Sequence, residues 1–151
     1  MKLRNEQTTT RPDERTPWVE RETLVEATPA EVWEALTDED RLEEWLAPEV
    51  ELDPIEGGEI SVGDGEERRF GTVERVEENE RFAFTWSRPG EGESFVEFTI
   101  EGLPGGSRVT VVETPMHSTG TTTVAAPTAI AGGWGPRLAR LERSLSFALV
   151  A

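Results

Sequence analysis

Residues 18–46 constrain the fold of this chain more than any other stretch. Trp18-Val-Glu-Arg-Glu-Thr-Leu-Val-Glu26 alternates apolar and polar residues, as a half-buried strand does. Thr28 then supplies a hydroxyl N-cap, Pro29 takes the first helical position, and Glu31 stands three residues after the cap, which together make a capping box. Val32, Ala35 and Leu36 form an apolar stripe at helical spacing. Asp38 caps a second short helix whose Leu42, Trp45 and Leu46 share a face, and Pro48 stops it.

Beyond Pro48 the chain reads as strands and turns. Glu49–Asp53 is a short strand. Glu59–Val62 comes after Gly57-Gly58, and Gly63-Asp-Gly65 makes a tight hairpin turn. In the strand Arg68–Val76 the apolar residues Phe70, Val73 and Val76 break strict alternation, which predicts a bulge. Arg81–Trp86 puts Phe82, Phe84 and Trp86 on one face, Ser94–Glu101 does the same with Val96, Phe98 and Ile100, and Arg108–Glu113 turns Val109 and Val111 inward. Strands this regular, at this spacing, form one curved antiparallel sheet. Residues 114–134 read as a long connection, either a pocket rim or a partly helical linker. From Gly135-Pro136 onward, Leu138, Leu141, Leu145, Ala148 and Leu149 give a final helix an apolar face, with Arg137, Arg140 and Arg143 mostly outside. Residues 1–16 are polar, Thr-rich and without apolar periodicity. They are expected to be a flexible N-terminal tail before a single domain over 17–151. The class is α+β: a curved antiparallel sheet wrapped on a long C-terminal helix, with two short helices after the first strand. That is the order of a helix-grip fold.

Composition excludes several function classes. A net charge of −16 denies a phosphate backbone the basic footprint it needs, so nucleic acid is not an expected partner, nor is an anionic membrane surface. Without cysteine there is no disulfide, no thiolate catalysis and no Cys-ligated zinc. No apolar run approaches the roughly 18 residues that span a bilayer, and no signal-peptide core opens the chain, so a cytoplasmic location is the default. Gly63-Asp-Gly65 and Gly132-Gly133 are turn glycines that lack the continuation of a phosphate loop, and no cofactor is expected.

The run Ala27-Thr-Pro-Ala-Glu-Val-Trp-Glu-Ala-Leu36 with Leu42-Glu-Glu-Trp45 resembles the SRPBCC (START-like) superfamily, and within it the branch named after the activator of heat-shock-protein ATPase. Gly71-Thr-Val73, Phe84-Thr-Trp86 and Gly133-Trp134 with Leu138 and Leu141 fit the same order, so the similarity covers residues 18–150. The resemblance implies a cavity between sheet and C-terminal helix. Relatives bind lipids, polyketides or plant hormones there, some cyclise polyketides, and some assist a chaperone. The Thr/Ala-rich connection before the last helix departs from that pattern.

Alternation and the helical stripe point Phe82, Phe84, Trp86, Val96, Phe98, Val109, Val111, Leu138, Leu141 and Leu145 at one another, as the lining of an internal pocket. Glu113 shares the parity of Val109 and Val111 and is expected to face the cavity or its mouth, unless strand twist turns it to solvent. Trp33 and Trp45 sit on buried helical stripes and read as core, whereas Trp86 suits core or rim. His117, the only histidine, has no second ligand type at metal spacing. Glu66-Glu67-Arg68-Arg69 and Glu77-Glu78 read as solvated hairpin charges. Two functions of different class remain. One is binding of a small apolar or amphipathic molecule without catalysis. The other is a cyclase- or hydrolase-like reaction using Glu113 with His117 or an arginine. A chaperone-associated interaction protein is a third, needing an exposed apolar patch. A homodimer or chaperone contact stays open.

Overall fold

The computed structural model describes residues 19–116 and 128–150, and within the last helix the side chains of 133–145. The expected tail, Trp18, His117 and the side chains of Ala148 and Leu149 lie outside the described residues. The elements run β1 (Val19–Val25), α1 (Pro29–Thr37), α2 (Glu39–Trp45), β2 (Glu49–Leu52), β3 (Glu59–Asp64), β4 (Glu67–Glu77), β5 (Arg81–Ser87), β6 (Ser94–Leu103), β7 (Gly106–Pro115) and α3 (Thr128–Val150). The seven strands form one curved antiparallel sheet in the order β1-β7-β6-β5-β4-β3-β2. Short hairpins join β3 through β7 in sequence. β1 closes on the last strand, so the chain's first and last strands lie side by side, with Val19 opposite Glu113.

The local signals act as written in the residues. Thr28 Oγ1 accepts from the Glu31 amide at 3.2 Å, and the Glu31 carboxylate accepts from the Thr28 amide at 2.9 Å, which satisfies orphan donors at the start of α1. Asp38 caps α2 through the Arg41 amide. The register of β4 against β5 shifts between Val73 and Arg75. That bulge lets Val73 turn fully inward and Val76 partly inward although they are three residues apart. One core fills the space between the sheet and the three helices. Val32, Leu36, Trp45 and Leu46 enter it from α1, α2 and the turn after α2, and Trp134, Leu138, Leu141 and Leu145 enter it from α3. Trp33 is only partly buried, packing edge-on against Phe82 at 6.1 Å.

Two expectations are corrected. The last helix starts at Thr128, not near Pro136, so the connection from β7 is shorter than residues 114–134. Pro136 is tolerated inside the helix, where it removes one amide donor and leaves the Gly132 carbonyl without its usual intrahelical partner. In β4, Arg69 is not a solvated hairpin charge but faces inward, only 9% exposed, while the neighbouring Phe70 is 50% exposed.

Candidate functional site, a buried carboxylate beneath paired indoles

Glu113 is the one carboxylate that the described residues bury completely. Pairing explains its neighbours. Glu113 stands opposite Val96 on β6, Ser94 lies two residues along the same face, and Trp86 of β5 stands opposite Ser94. Three inward side chains from adjacent strands therefore converge at one end of the sheet. Trp134 reaches them from α3. Its indole Nε1 donates to Glu113 Oε1 at 2.8 Å, and Trp86 Nε1 donates to Oε2 at 2.8 Å. The Ser94 hydroxyl donates to the same Oε2 in a short contact. Three of the roughly four acceptor positions of a carboxylate are thus occupied. The two indoles stack with centroids 6.0 Å apart and planes 21° apart.

Two guanidiniums lie on these rings. Arg69 Cζ is 4.6 Å from the Trp86 centroid. Arg137 Cζ is 5.8 Å from the Trp86 centroid and 5.1 Å from that of Trp134. Neither stands where its sequence context suggests, since the residues around Arg69 look like a hairpin charge cluster and Arg137 falls on the outward side of the helical stripe. The reason is tertiary. Gly71 stands opposite Trp86 and lets the backbones of β4 and β5 approach closely there, and Arg69, two residues before it on the same face, reaches over the Trp86 ring. A Cβ on Gly133 would come within 3.3 Å of Arg137 Nη1, so the bare glycine lets that side chain fold back along its own helix. Arg137 Nε donates to the Leu46 carbonyl at 3.1 Å, and Arg140 Nε to the Trp45 carbonyl at 3.2 Å, so α3 satisfies the C-terminal end of α2. Burial lowers the pKa of Arg69, with the charge of Glu113 opposing the shift. Burial, then the like charge of Arg69, lowers that of Arg137 to about 10.

The ten apolar residues expected to line a pocket are all buried in the core between the sheet and the helices, each at most 4% exposed. Their rings interlock: Phe82 lies 5.7 Å from Phe84, Phe84 lies 5.2 Å from Trp86, and Phe98 lies 5.6 Å from Trp134. Glu113 continues this surface at its polar end, held by donors that its parity alone did not reveal. The clefts formed by the described residues open to solvent elsewhere. One, of about 400 Å³, lies between α2 and α3 and is bordered by Leu46, Pro48, Asp64, Arg137 and Arg140. Among the described residues, no three acidic or imidazole groups are arranged to hold a metal ion, and no helix is long and apolar enough to cross a membrane.

The comparisons with known proteins agree with this architecture. A family model described as Activator of Hsp90 ATPase homolog 1-like protein matches residues 26–146. No curated protein matches the chain. Among solved structures, DynU16, a protein in the dynemicin biosynthetic locus, is 28% identical with a TM-score of 0.72, covering 85% of this chain and 46% of its own. The chain therefore spans just under half the length of DynU16. CalU16 from Micromonospora echinospora is 22% identical with a TM-score of 0.67, over 87% of this chain and 77% of its own. The Aha1 dimer from Colwellia psychrerythraea is 17% identical with a TM-score of 0.67, over 84% of this chain and 94% of its own. The last two likenesses bear on fold alone.

Proposed function

The chain belongs to the Activator of Hsp90 ATPase homolog 1-like protein family, and from that premise we propose that it binds a small apolar or amphipathic molecule between the sheet and α3 without turning it over. The observation that carries this reading is the joining of a continuous apolar surface to one polar corner. Phe82, Phe84, Val96, Phe98, Val109 and Val111 from the strands, with Leu138, Leu141 and Leu145 from α3, supply the apolar wall, and Trp86 and Glu113 end it. Ligand sites are mostly apolar with a few placed polar groups, and this surface has that make-up; because its rings interlock, a ligand reaches it by parting α3 from the sheet. The engagement of this carboxylate by three donors speaks against catalysis. A general base must be within hydrogen-bond reach of the proton it takes and have a lone pair free to take it. Glu113 instead accepts from two indoles and a hydroxyl, which leave about one of its roughly four acceptor positions for a substrate proton. The position of the DynU16 relative in a biosynthetic locus suits a carrier or receptor of a small molecule.

Native mass spectrometry of the purified protein, followed by denaturation and identification of what is released, tests the reading. A one-to-one adduct with a small apolar or amphipathic molecule is expected. An empty protein that also fails to bind the neutral apolar dye N-phenyl-1-naphthylamine would overturn it. The family's name and the dimeric Aha1 relative favour, as a second reading, a contact with a chaperone or a second copy of the chain. The exposed ring of Phe70 on the outer face of β4 offers a place for such a contact. Sedimentation of the wild type beside Phe70→Ser tests it, since only a contact through that face would be lost.

A further inference from the structure

We propose that the corner made by Arg69, Arg137, Trp86 and Trp134 is an oxyanion-binding subsite, so that the molecule taken up is an apolar body carrying one carboxylate- or sulfonate-type group. This rests on the binding reading above and narrows its ligand class. The first observation is an orphan. Arg69 is more than nine-tenths buried, and its Nη1 has no hydrogen-bond partner. A buried charged donor left without an acceptor is costly, more so than a neutral one. The acids nearest to it at the hairpin ends are engaged elsewhere: Arg88 pairs with Glu67 at 2.8 Å and with Glu91 at 3.3 Å.

The second observation is a like-charge pair. Both guanidiniums lie on the Trp86 ring, at 4.6 and 5.8 Å from its centroid, so their Cζ atoms are no farther apart than the sum of those distances. Among the described residues, Arg137 commits only its Nε, to the Leu46 carbonyl. Glu113 is the anion that acts on both, but its oxygens accept from Trp86, Ser94 and Trp134. Glu67 and Glu91 also act on Arg69, but Arg88 pairs with both, so the local charges balance while the two guanidiniums keep N–H groups that no carboxylate among the described residues accepts from. Asp64 and Arg140 are the further charges that bear on Arg137, and they oppose each other.

The geometry suits an oxyanion in particular. A guanidinium held over an indole face by cation–π attraction keeps N–H edges able to point sideways, the fork that fits a carboxylate or sulfonate. The indole walls exclude water around it, which strengthens charge-assisted hydrogen bonds. Phe84 and Phe98 pack directly against Trp86 and Trp134, at ring separations of 5.2 and 5.6 Å, so the body of such a molecule would reach this apolar surface by parting α3 from the sheet.

Two dyes with one skeleton test the proposal. 1-Anilinonaphthalene-8-sulfonate carries an oxyanion, and N-phenyl-1-naphthylamine is its neutral counterpart. Fluorescence titration of the full chain is expected to show that Arg69→Gln and Arg137→Gln each weaken the sulfonate by about tenfold or more and leave the neutral dye within about twofold. Equal loss for both dyes, or no loss for the sulfonate, would overturn the inference while the binding reading stands. If the wild type binds neither dye, the binding reading fails and the inference fails with it. Should the glutamine variants not fold, the wild type decides alone. Its affinity for the sulfonate must fall as NaCl is raised while that for the neutral dye holds, and parallel salt responses would refute the subsite.

Discussion

Replacing Glu113 with glutamine tests the polar corner most directly, because it preserves shape and changes only charge and one acceptor. Three donors meet this carboxylate: Trp134 Nε1 at Oε1, and Trp86 Nε1 with the Ser94 hydroxyl at Oε2. A glutamine can turn its carbonyl oxygen toward Trp86 and Ser94. Its amide NH₂ must then face the indole N–H of Trp134, donor against donor, in a place that is fully buried. An orphaned buried donor costs about 1–3 kcal/mol. Removing the anion that acts on Arg69 and Arg137 adds to this, because breaking a buried charge arrangement costs about 3–5 kcal/mol. The relief of no longer desolvating a carboxylate offsets part of both. The net loss is then about 2–4 kcal/mol, on the order of 10 °C in Tm for a domain of this size. Urea unfolding followed by far-UV circular dichroism, with the m-value checked for constancy, measures it. Ser94→Ala removes one donor of three and should cost about 1 kcal/mol, clearly less than Glu113→Gln. A Glu113→Gln loss below about 0.5 kcal/mol, or one no larger than that of Ser94→Ala, would show that the three bonds and the two arginines do not act through this carboxylate.

Three further outcomes are expected. Gly71→Ala would place a Cβ 1.6 Å from the Thr85 carbonyl oxygen, so β4 and β5 must part. Stability should fall by about 1–3 kcal/mol or more, and an unchanged denaturation midpoint would contradict the close approach. Leu141→Ala, at a position with no exposure, should cost about 2–5 kcal/mol if the interval between sheet and α3 is packed solid; a much smaller loss in a urea melt would mean that Leu141 borders a void. The affinity for the anionic dye should decline as pH rises through about 10, where Arg137 loses its proton. The same depressed pKa means that in the folded chain this group releases its proton earlier than in the unfolded chain, so its contribution to stability rises, rather than falls, as pH goes from about 10 toward the ordinary guanidinium value. A dye affinity flat across that window would exclude Arg137 from the site.

The sequence carried the architecture because its signals were local. The cap of Thr28 and Glu31 lies within four residues, and the alternations of β5, β6 and β7 need no knowledge of partners. Even the inward aim of Glu113 could be read by counting in twos from Val109. The corner itself could not be read this way. Arg69 sits beside Arg68 and two glutamates, a composition that looks like a solvated hairpin, and Phe70 offers an apolar residue at the neighbouring parity. The bulge at Val73 and Arg75 hides which parity is right, because Val73 and Val76 cannot both be counted from Phe70. Arg137 obeys the same logic on a helix. Its exposure is decided by Gly133 one turn earlier and by two indoles that converge from β5 and α3. The early start of α3 was obscured by Gly132, Gly133 and Gly135 with Pro136, poor helix formers that tertiary packing of Trp134 overrides.

The stacking of Trp86 on Trp134 gives the molecule an optical signature of its own. Two indole chromophores held 6.0 Å apart and 21° from parallel couple their electronic transitions, so the pair contributes to circular dichroism as one chiral unit in addition to the backbone. One chromophore belongs to the sheet and the other to α3. Any loosening of the helix separates them and removes that contribution, even while β1 and β7 remain paired. Local opening of this corner therefore has a spectroscopic readout distinct from global unfolding, and it needs no label, because the chain already carries both halves of the reporter.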